Sequence, residues 1–294
     1  MDIKVLNYFL TVAKEESISS AAKVLNMTQP PLSRQIKELE EELGKTLFIR
    51  GRKITLTEEG RILQKRAKEI IELTNKTKEE MLYLGQNLKG EIYIGCGESY
   101  SVRMIAKAMK NFSKQHDVKF HITSGNSNDI REKLDKGLLD FALFIEPVNI
   151  KKYNYIKLPY HDTWGILAKK DSEIAKKEYI TKEDLKKLPL IISSQQIVKN
   201  EFSGFISGDF ESLNIKATYN LLYNASLMVM EDIGYALCLD KIIQGTKENN
   251  LVFIPLKPKM EVGVVFAWRK QEIFSKVKEK FLQEIEKEIA KIKR

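Results

Sequence analysis

Apolar residues recur every three or four positions through most of the first ninety residues, which is the spacing of amphipathic helices. The first stripe consists of Ile3, Leu6, Phe9, Leu10 and Ala13. The segment "ISSAAKVLN" predicts a second, short helix with small residues on one face, and Asn26 ends it because Asn tolerates a left-handed backbone. Two helices are therefore predicted before residue 27.

A third helix is predicted in "NMTQPPLSRQIKELE", where the stripe Leu32, Ile36, Leu39 and Leu43 ends at Gly44. If Thr28 is the N-cap, Pro30 and Pro31 occupy helical positions whose backbone N–H groups would have no partner within the helix. The usual donors to a capping hydroxyl are then missing. We therefore expect Thr28 and Gln29 to point outward with unused hydrogen-bonding groups, at the rigid start of the helix.

A short helix, a tight turn and a second helix with a polar outer face form the helix-turn-helix pattern, whose second helix enters the DNA major groove. The segments "TLFIR" and "ITLT" flank "GRK", which predicts two short strands joined by a cationic turn that could touch phosphates. The alternative interpretation of each helix is a plain core element with a solvated outer face.

Thr57 is predicted to cap a fourth helix, with Glu58 and Glu59 in its first turn. Its apolar positions follow a heptad pattern, which indicates a seam between two chains rather than a helix lying across its own domain. The predicted seam consists of Leu63, Ala67, Ile70, Thr74, Thr77, Met81, Leu84 and Leu88.

From Glu91 onward, strand-like and helix-like segments alternate, which predicts parallel sheets with helices on both faces. A second such series starts near Thr163. Thr181 and Asp184 resemble a capping box, and a terminal helix is expected from about Gln271. The chain thus predicts two α/β lobes joined by crossing strands, with ligand bound beyond the carboxyl ends of the strands.

Polar residues that follow these strands are the candidate ligand contacts, although ordinary loop capping is as good an explanation for most of them. They are Ser99, Tyr100, Ser101, Thr123, Ser124 and Asn126 on one lobe, and Ser193, Gln195, Gln196, Tyr223 and Asn224 on the other. Glu231 and Asp232 come shortly before Gly234 in "MEDIGYALCL", so an acidic pocket edge is a further expectation, which argues against a purely anionic ligand.

Composition narrows the range of possible functions. A chain of 294 residues that is 43% hydrophobic can form two or three domains, and no segment approaches the ~20 apolar residues of a membrane span. We therefore expect a cytoplasmic protein with no membrane partner.

Cys96 and Cys238 are predicted to be buried apolar residues, and His121 to be structural. No catalytic motif is present, so we expect no catalytic residue, metal or cofactor.

The residues "YFLTVAKEESISSAAKVLNMTQPPLSRQIKELEEELGKTLFIR" and "ITLTEEG" resemble the N-terminal module of LysR-type transcriptional regulators. The resemblance implies a winged helix-turn-helix domain over 1–58, a linker and dimerisation helix over 59–88, and an effector-binding domain over 89–294. That domain is expected to be bilobal and periplasmic-binding-protein-like (type 2), with lobe I at 89–161 and 269–294 and lobe II at 162–268.

The resemblance also implies partners and DNA contacts. The expected DNA contacts are Thr28, Gln29, Pro30, Ser33, Arg34 and Lys37 on the third helix, and Arg50, Arg52 and Lys53 in the wing. Expected partners are a pseudo-palindromic promoter in double-stranded DNA, further copies of the chain as a dimer or tetramer, a small-molecule effector and RNA polymerase. The resemblance strengthens the case for Ser99 and Ser101 as effector contacts, because family members commonly bind effector at this junction.

Two other functions stay open from the sequence: an architectural DNA-binding protein without an effector, and a solute-binding protein or enzyme on the bilobal fold. The leading expectation is a regulator that is not an enzyme.

Overall fold

The computed structural model of the protein describes residues 1–83, 88–194, 205, 213–243 and 250–292. Two compact units divide the chain, Met1–Leu82 and Tyr83–Arg294. None of the helices in the described ranges is long and apolar enough to cross a membrane.

The N-terminal unit consists of helices around one apolar core and a two-stranded wing. Its elements are α1 (Ile3–Glu15), α2 (Ile18–Val24), α3 (Gln29–Leu43), β1 (Phe48–Ile49), β2 (Thr55–Leu56) and α4 (Glu58–Tyr83). Phe9 is fully buried and packs on Phe48, with the ring centroids 5.1 Å apart. The predicted stripe of α3 is buried at Leu32, Ile36 and Leu39, whereas Leu43 in the last turn is exposed.

The turns of this unit follow from residue type. Asn26 has a positive φ of 52° after α2, as its type predicts, and Gly44 has a φ of 62° after α3. Strands β1 and β2 pair antiparallel, with Phe48 opposite Leu56, so a turn at residues 50–54 carries the wing cations.

The C-terminal unit is an α/β structure built on a continuous mixed sheet. Its strands are β3 (Gly90–Cys96), β4 (Val118–Ser124), β5 (Phe141–Ile145), β6 (Tyr153–Lys169), β7 (Leu190–Ser193), β8 (Ile215–Tyr219), β9 (Tyr235–Leu239), β10 (Leu251–Pro255) and β11 (Glu261–Arg269). Its helices are α5 (Val102–Ser113), α6 (Ser127–Asp135), α7 (Lys182–Lys187), α8 (Leu222–Met230) and α9 (Lys276–Ile292), with a 3-10 turn at Glu173–Lys176.

The strand order is β4-β3-β5-β11-β6-β9-β7-β8, and β10 also pairs with β6. Strand β3 is parallel to β4 and β5 in lobe I, and β7 is parallel to β8 and β9 in lobe II. The long β6 crosses between lobes, because its first part pairs with β11 and its last part with β9 and β10.

The return crossing comes earlier along the chain than predicted. Val264 and Phe266 of β11 are buried in the lobe I core, whereas the predicted boundary at 268/269 assigns them to lobe II. Helix α9 begins later than the expected Gln271, because the N–H groups of Lys278 and Glu279 both bond to the carbonyl of Ser275.

A buried ion pair ties α9 to lobe I. The Lys278 ammonium lies 2.8 Å from the Asp140 carboxylate, and both side chains are almost completely buried. Asp140 also accepts a hydrogen bond from the backbone N–H of Tyr93 on β3. Removing one partner of such a pair leaves a buried charge uncompensated, so this contact fixes the position of the terminal helix.

Candidate DNA interface and ligand cleft

Helix α3 begins as its sequence predicts. Thr28 is the N-cap residue and makes no side-chain capping hydrogen bond, while Pro30 and Pro31 are the second and third helical residues. Thr28 is exposed, so its hydroxyl stays available. Gln29 is less free than predicted, because its side-chain oxygen accepts a hydrogen bond from the Ser19 hydroxyl at 3.0 Å. That bond ties the start of α3 to α2.

The outer face of α3 is polar and accessible. Arg34 and Lys37 are 81% and 70% exposed, and each pairs with a carboxylate one turn later, at Glu38 and Glu41. Ser33 is half-buried and Pro30 is exposed. The structure therefore brings the predicted α3 contacts to one solvent-facing surface.

The wing is anchored by a residue that the pattern of apolar positions did not single out. Glu40 of α3 accepts hydrogen bonds from the backbone N–H groups of Leu47 and Phe48 at 2.7 and 3.2 Å. Its second oxygen lies 3.7 Å from the Arg50 guanidinium. Glu40 thus links the candidate recognition helix to the first strand of the wing.

The other wing cations lie at the surface. Lys53 pairs with Glu16 at 2.8 Å, which raises the pKa of the lysine through a hydrogen bond and charge attraction. Arg52 forms no ion pair with any residue that the structure describes. The wing therefore presents its cations to solvent, where a phosphate could reach them.

The predicted seam residues of α4 fall into a buried group and an exposed group. Leu63 and Ala67 pack into the N-terminal core. Ile70 and Met81 are exposed, together with Ile62 and Leu73, which the heptad did not include. An exposed apolar stripe thus runs along α4, turned slightly from the predicted seam.

The other positions of the predicted seam are two threonines in α4 and two leucines near or beyond its end. The hydroxyls of Thr74 and Thr77 donate to the backbone carbonyls of Ile70 and Leu73. Leu88 lies in a turn with a φ of 53° rather than in the helix, and Leu84 lies outside the described residues. The described helix therefore ends before the predicted seam does.

A cleft opens between lobes I and II at the carboxyl ends of the parallel strands. Its volume is about 740 Å³, including its open mouth. Lobe I contributes Gly97, Glu98, Gly125, Ser127, Leu143, Phe144 and Ile145, and lobe II contributes Trp164, Ser193, Tyr219, Asn220, Leu222, Cys238, Leu239 and Ile242. Clefts at this position in α/β sheets are common ligand sites.

Glu98 is the charged side chain of this lining, and sequence analysis missed it. Its carboxylate accepts a hydrogen bond of 2.5 Å from the backbone N–H of Leu222, the first residue of α8. The contact joins the end of β3 in lobe I to a helix N-terminus in lobe II. Burial raises the pKa of Glu98 above its ordinary range, and the Leu222 bond opposes that shift.

The predicted residues at the first strand-to-helix junction form a network behind the cleft. The Ser99 hydroxyl donates to Asp162 at 2.5 Å and accepts from the N–H of Ser101 at 3.0 Å. The Ser101 hydroxyl is buried with no hydrogen-bond partner, and Tyr100 accepts from Arg103. Burial raises the pKa of Asp162, the crossing-strand carboxylate of this network.

Most other predicted ligand contacts lie beside the cleft rather than in its wall. Ser193 lines it, and Gln195 and Gln196 lie outside the described residues. Asn126 is the N-cap of α6, and Thr123 and Ser124 lie on β4. Tyr223 and Asn224 are exposed, and the lining residues of that segment are Tyr219, Asn220 and Leu222 instead.

The suspected acidic edge has a different location. Asp232 pairs with Lys169 at the surface, 2.7 Å away, and neither Asp232 nor Glu231 lines the cleft.

Cys96 and Cys238 are buried, as predicted. His121 stacks on Tyr93 and bonds to Glu91 at 2.7 Å, which agrees with the predicted structural role.

Two family models together match most of the chain. The one described as "Bacterial regulatory helix-turn-helix protein, lysR family" matches residues 3–61, and the one described as "LysR substrate binding domain" matches residues 85–290. These matches confirm the predicted resemblance and fold class.

Relatives and solved structures extend the likeness. The HTH-type transcriptional regulator BsdA of Bacillus subtilis (strain 168) is 39% identical over 145 residues, which are 49% of this chain and 50% of BsdA. The uncharacterized HTH-type transcriptional regulator YybE of the same organism is 27% identical over 296 residues, 96% of this chain and 97% of YybE. The chain thus spans about half the length of BsdA and nearly all of YybE.

Among solved structures, full-length CbnR complexed with its target DNA has a TM-score of 0.75 and 17% identity, covering 99% of both chains. At this identity the likeness establishes the fold alone. The alignment with this structure includes residues of both units of the chain.

Proposed function

Because the chain belongs to the LysR family of bacterial regulatory helix-turn-helix proteins, we propose that it is a sequence-specific DNA-binding transcriptional regulator controlled by a small-molecule effector. The observation that carries the proposal is the exposed, polar outer face of α3, which begins at the uncapped Thr28. A helix with this face matches the second helix of a helix-turn-helix. The family's regulators act on DNA rather than as enzymes.

The contacts to DNA divide into two kinds. On α3, Gln29 and Arg34 can form paired hydrogen bonds with base edges, with Thr28, Ser33 and Lys37 beside them. In the wing, Arg50, Arg52 and Lys53 contact phosphates, which position the protein without reading sequence. The accessible ion pairs of these cations support this division, since such pairs contribute little stability and can be exchanged.

The chain pairs with a second copy through α4. The exposed apolar stripe at Ile62, Ile70, Leu73 and Met81 supports this, because scattered apolar positions seldom align along one helix face. A two-fold dimer reads a pseudo-palindromic site. A tetramer and a contact with RNA polymerase are further parts of the proposal, and action on the chromosome places the protein in the cytoplasm.

The effector binds in the cleft between lobes I and II and changes the angle between them, and thereby the spacing of DNA modules in the assembly. Glu98 supports a role for this cleft, because its bond to Leu222 joins the two lobes at the site. Coupling of this kind is reciprocal, so promoter DNA must change the affinity for effector by the same factor.

Footprinting on the promoter region beside the gene, with and without candidate metabolites, tests the proposal. One protected site whose protection depends on a metabolite supports it. Uniform coverage of DNA supports an architectural protein, and no DNA binding supports a solute-binding protein or enzyme. Equal effector affinity with and without the site excludes the coupling.

A further inference from the structure

One helix N-terminus at this cleft, which could bind an anionic ligand, is occupied by a side chain of the protein. The N-terminus of α8 offers backbone N–H groups and a favourable dipole for negative charge. The Glu98 carboxylate occupies it, with the Leu222 N–H donating at 2.5 Å. An incoming carboxylate would have to displace Glu98 or lie beside it.

The rest of the described lining offers no positive charge to an anion. It contains no Lys, Arg or His side chain. The Tyr219 hydroxyl donates to the carbonyl of Leu237, and burial raises the pKa of Tyr219 and Cys238, so both stay neutral. Among the described lining residues, Glu98 is therefore the one whose side chain carries a formal charge.

Two carboxylates and one ammonium lie next to this lining. Asp162 is buried and accepts from Ser99, and Asp240 pairs with Lys241 at 2.8 Å. Lys241 also attracts the Asp162 carboxylate. Within the described lining itself, the charged group is therefore Glu98.

The remaining wall is mostly apolar and aromatic. Trp164, Leu143, Ile145, Leu239 and Ile242 surround the space next to Glu98, and Ser193 and Asn220 add polar groups. Aromatic faces attract organic cations. We propose that the ligand of this cleft is a small organic amine with an apolar body, whose ammonium pairs with Glu98 while its body contacts the Trp164 side of the wall.

This inference rests on the proposed function, because it specifies the effector of that site. It predicts that binding depends on the charge of one group when the apolar body is held constant. A positive group gains the Glu98 interaction, a neutral one lacks it, and a negative one meets repulsion in a site partly shielded from water.

Isothermal titration of the full-length protein at pH 7.5 with two matched trios tests it: butylamine, 1-butanol and pentanoate, then 2-phenylethylamine, 2-phenylethanol and 3-phenylpropanoate. We expect the amine of at least one trio to bind ten-fold or more tightly than its acid, with the alcohol between them. Equal or tighter binding of the acids, or no amine binding at millimolar concentration, overturns the proposal.

The variant Glu98→Gln keeps an oxygen that can accept from Leu222 and removes the charge. It should weaken amine binding about ten-fold and abolish the preference over the acid, whereas the matched surface variant Glu173→Gln should leave the order unchanged. A preference that survives in Glu98→Gln overturns the proposal. The wild-type titrations decide the question even if this variant does not fold.

Footprinting separates the two proposals. If the amines bind in the expected order and promoter protection does not respond to any of them, the ligand class holds and effector control fails. If protection responds to the acids and not to the amines, effector control holds and the ligand class is wrong.

Discussion

At the scale of single residues, the cations of the candidate DNA interface are held by exchangeable partners. Arg34, Lys37, Arg50 and Lys53 each lie between 2.8 and 3.7 Å from a carboxylate of the same unit. The pairs of Arg34, Lys37 and Lys53 are exposed on both sides, and such pairs contribute roughly 0–1 kcal/mol to stability. A phosphate or a base can therefore replace the carboxylate of these three pairs at little cost.

The variants Arg34→Ala and Lys53→Ala should affect DNA binding differently. Arg34→Ala should weaken binding to the specific site by ~1–3 kcal/mol and spare unrelated DNA, because it removes a base contact. Lys53→Ala should weaken binding to all sequences and flatten the salt dependence. Fluorescence anisotropy at several salt concentrations measures both effects, with Lys176→Ala in the other unit as control. Identical behaviour of the two variants would refute the division into base and phosphate contacts.

Glu40 should matter for stability more than its sequence neighbour. Glu40→Ala leaves two partly buried N–H groups without their acceptor, which costs roughly 1–3 kcal/mol. Glu41→Ala removes only the exposed pair with Lys37 and should change stability by less than about 0.5 kcal/mol. Urea denaturation of the two variants compares the costs, and equal costs would show that Glu40 does not anchor the wing.

At the scale of elements, two helices begin with threonine and use it in opposite ways. The Thr57 hydroxyl accepts from the N–H of Gly60 at 2.9 Å and donates to the carbonyl of Thr46 at 2.8 Å. Thr28 makes no such bond, because the following prolines remove the donors. The same residue type thus stabilises α4 and stays free at α3.

Replacing each threonine by alanine should separate stability from DNA binding. Thr57→Ala should cost about 1 kcal/mol of unfolding free energy through loss of the cap. Thr28→Ala should leave stability nearly unchanged and reduce the affinity for the specific site. Denaturation and anisotropy together measure both quantities. A large loss of stability in Thr28→Ala would mean that its hydroxyl has a structural partner.

The exposed stripe of α4 should control self-association. Leu73→Glu places a charge in the stripe and should shift the protein toward monomer by at least ten-fold in dissociation constant. Lys68→Glu, an exposed substitution on another face of the same helix, should leave association unchanged. Sedimentation velocity over a range of concentrations compares the variants, and an unaffected dimer in Leu73→Glu would place the interface elsewhere.

Local rules predicted several starts and ends of elements, although α9 begins after the expected Gln271. The left-handed Asn26, the cap at Thr57, the prolines at the second and third positions of α3 and the capping box of Thr181 and Asp184 depend on neighbouring residues only. Side-chain chemistry within one turn decides such features, so a single sequence contains the needed information.

Contacts between distant segments could not be predicted in the same way. The pattern of α4 could not show that Leu63 and Ala67 pack on their own core. In the cleft, Tyr219 and Asn220 before α8 line the ligand space, while Tyr223 and Asn224 are exposed to solvent, and this depends on how α8 packs in the lobe. Glu98 was missed since its partner lies 124 positions away.

At the scale of the whole C-terminal unit, the two lobes meet at carboxylates that resist ionisation. Burial raises the pKa of both Glu98 in the cleft and Asp162 behind it. A carboxyl group with a raised pKa in the folded state contributes stability that is complete at low pH and is lost as pH rises through the folded pKa. These groups therefore oppose folding near neutral pH.

The variant Glu98→Gln should accordingly gain stability relative to wild type as pH rises from about 4 to 7, because glutamine cannot ionise. Asp184→Asn should behave oppositely. The Lys177 hydrogen bond holds the pKa of Asp184 low, so that variant should be less stable than wild type at neutral pH, with the difference fading in acid. Thermal denaturation across this range measures both trends, and a constant difference for Glu98→Gln would exclude the raised pKa.

The paired prolines of α3 also change the water around the recognition helix. The free N–H groups at a helix start normally hold water molecules, which must leave when the helix end enters a crowded groove. Pro30 and Pro31 have no N–H to hydrate, so docking releases fewer tightly held waters from this end. The leading turn of α3 therefore has fewer backbone groups to dehydrate when it binds DNA.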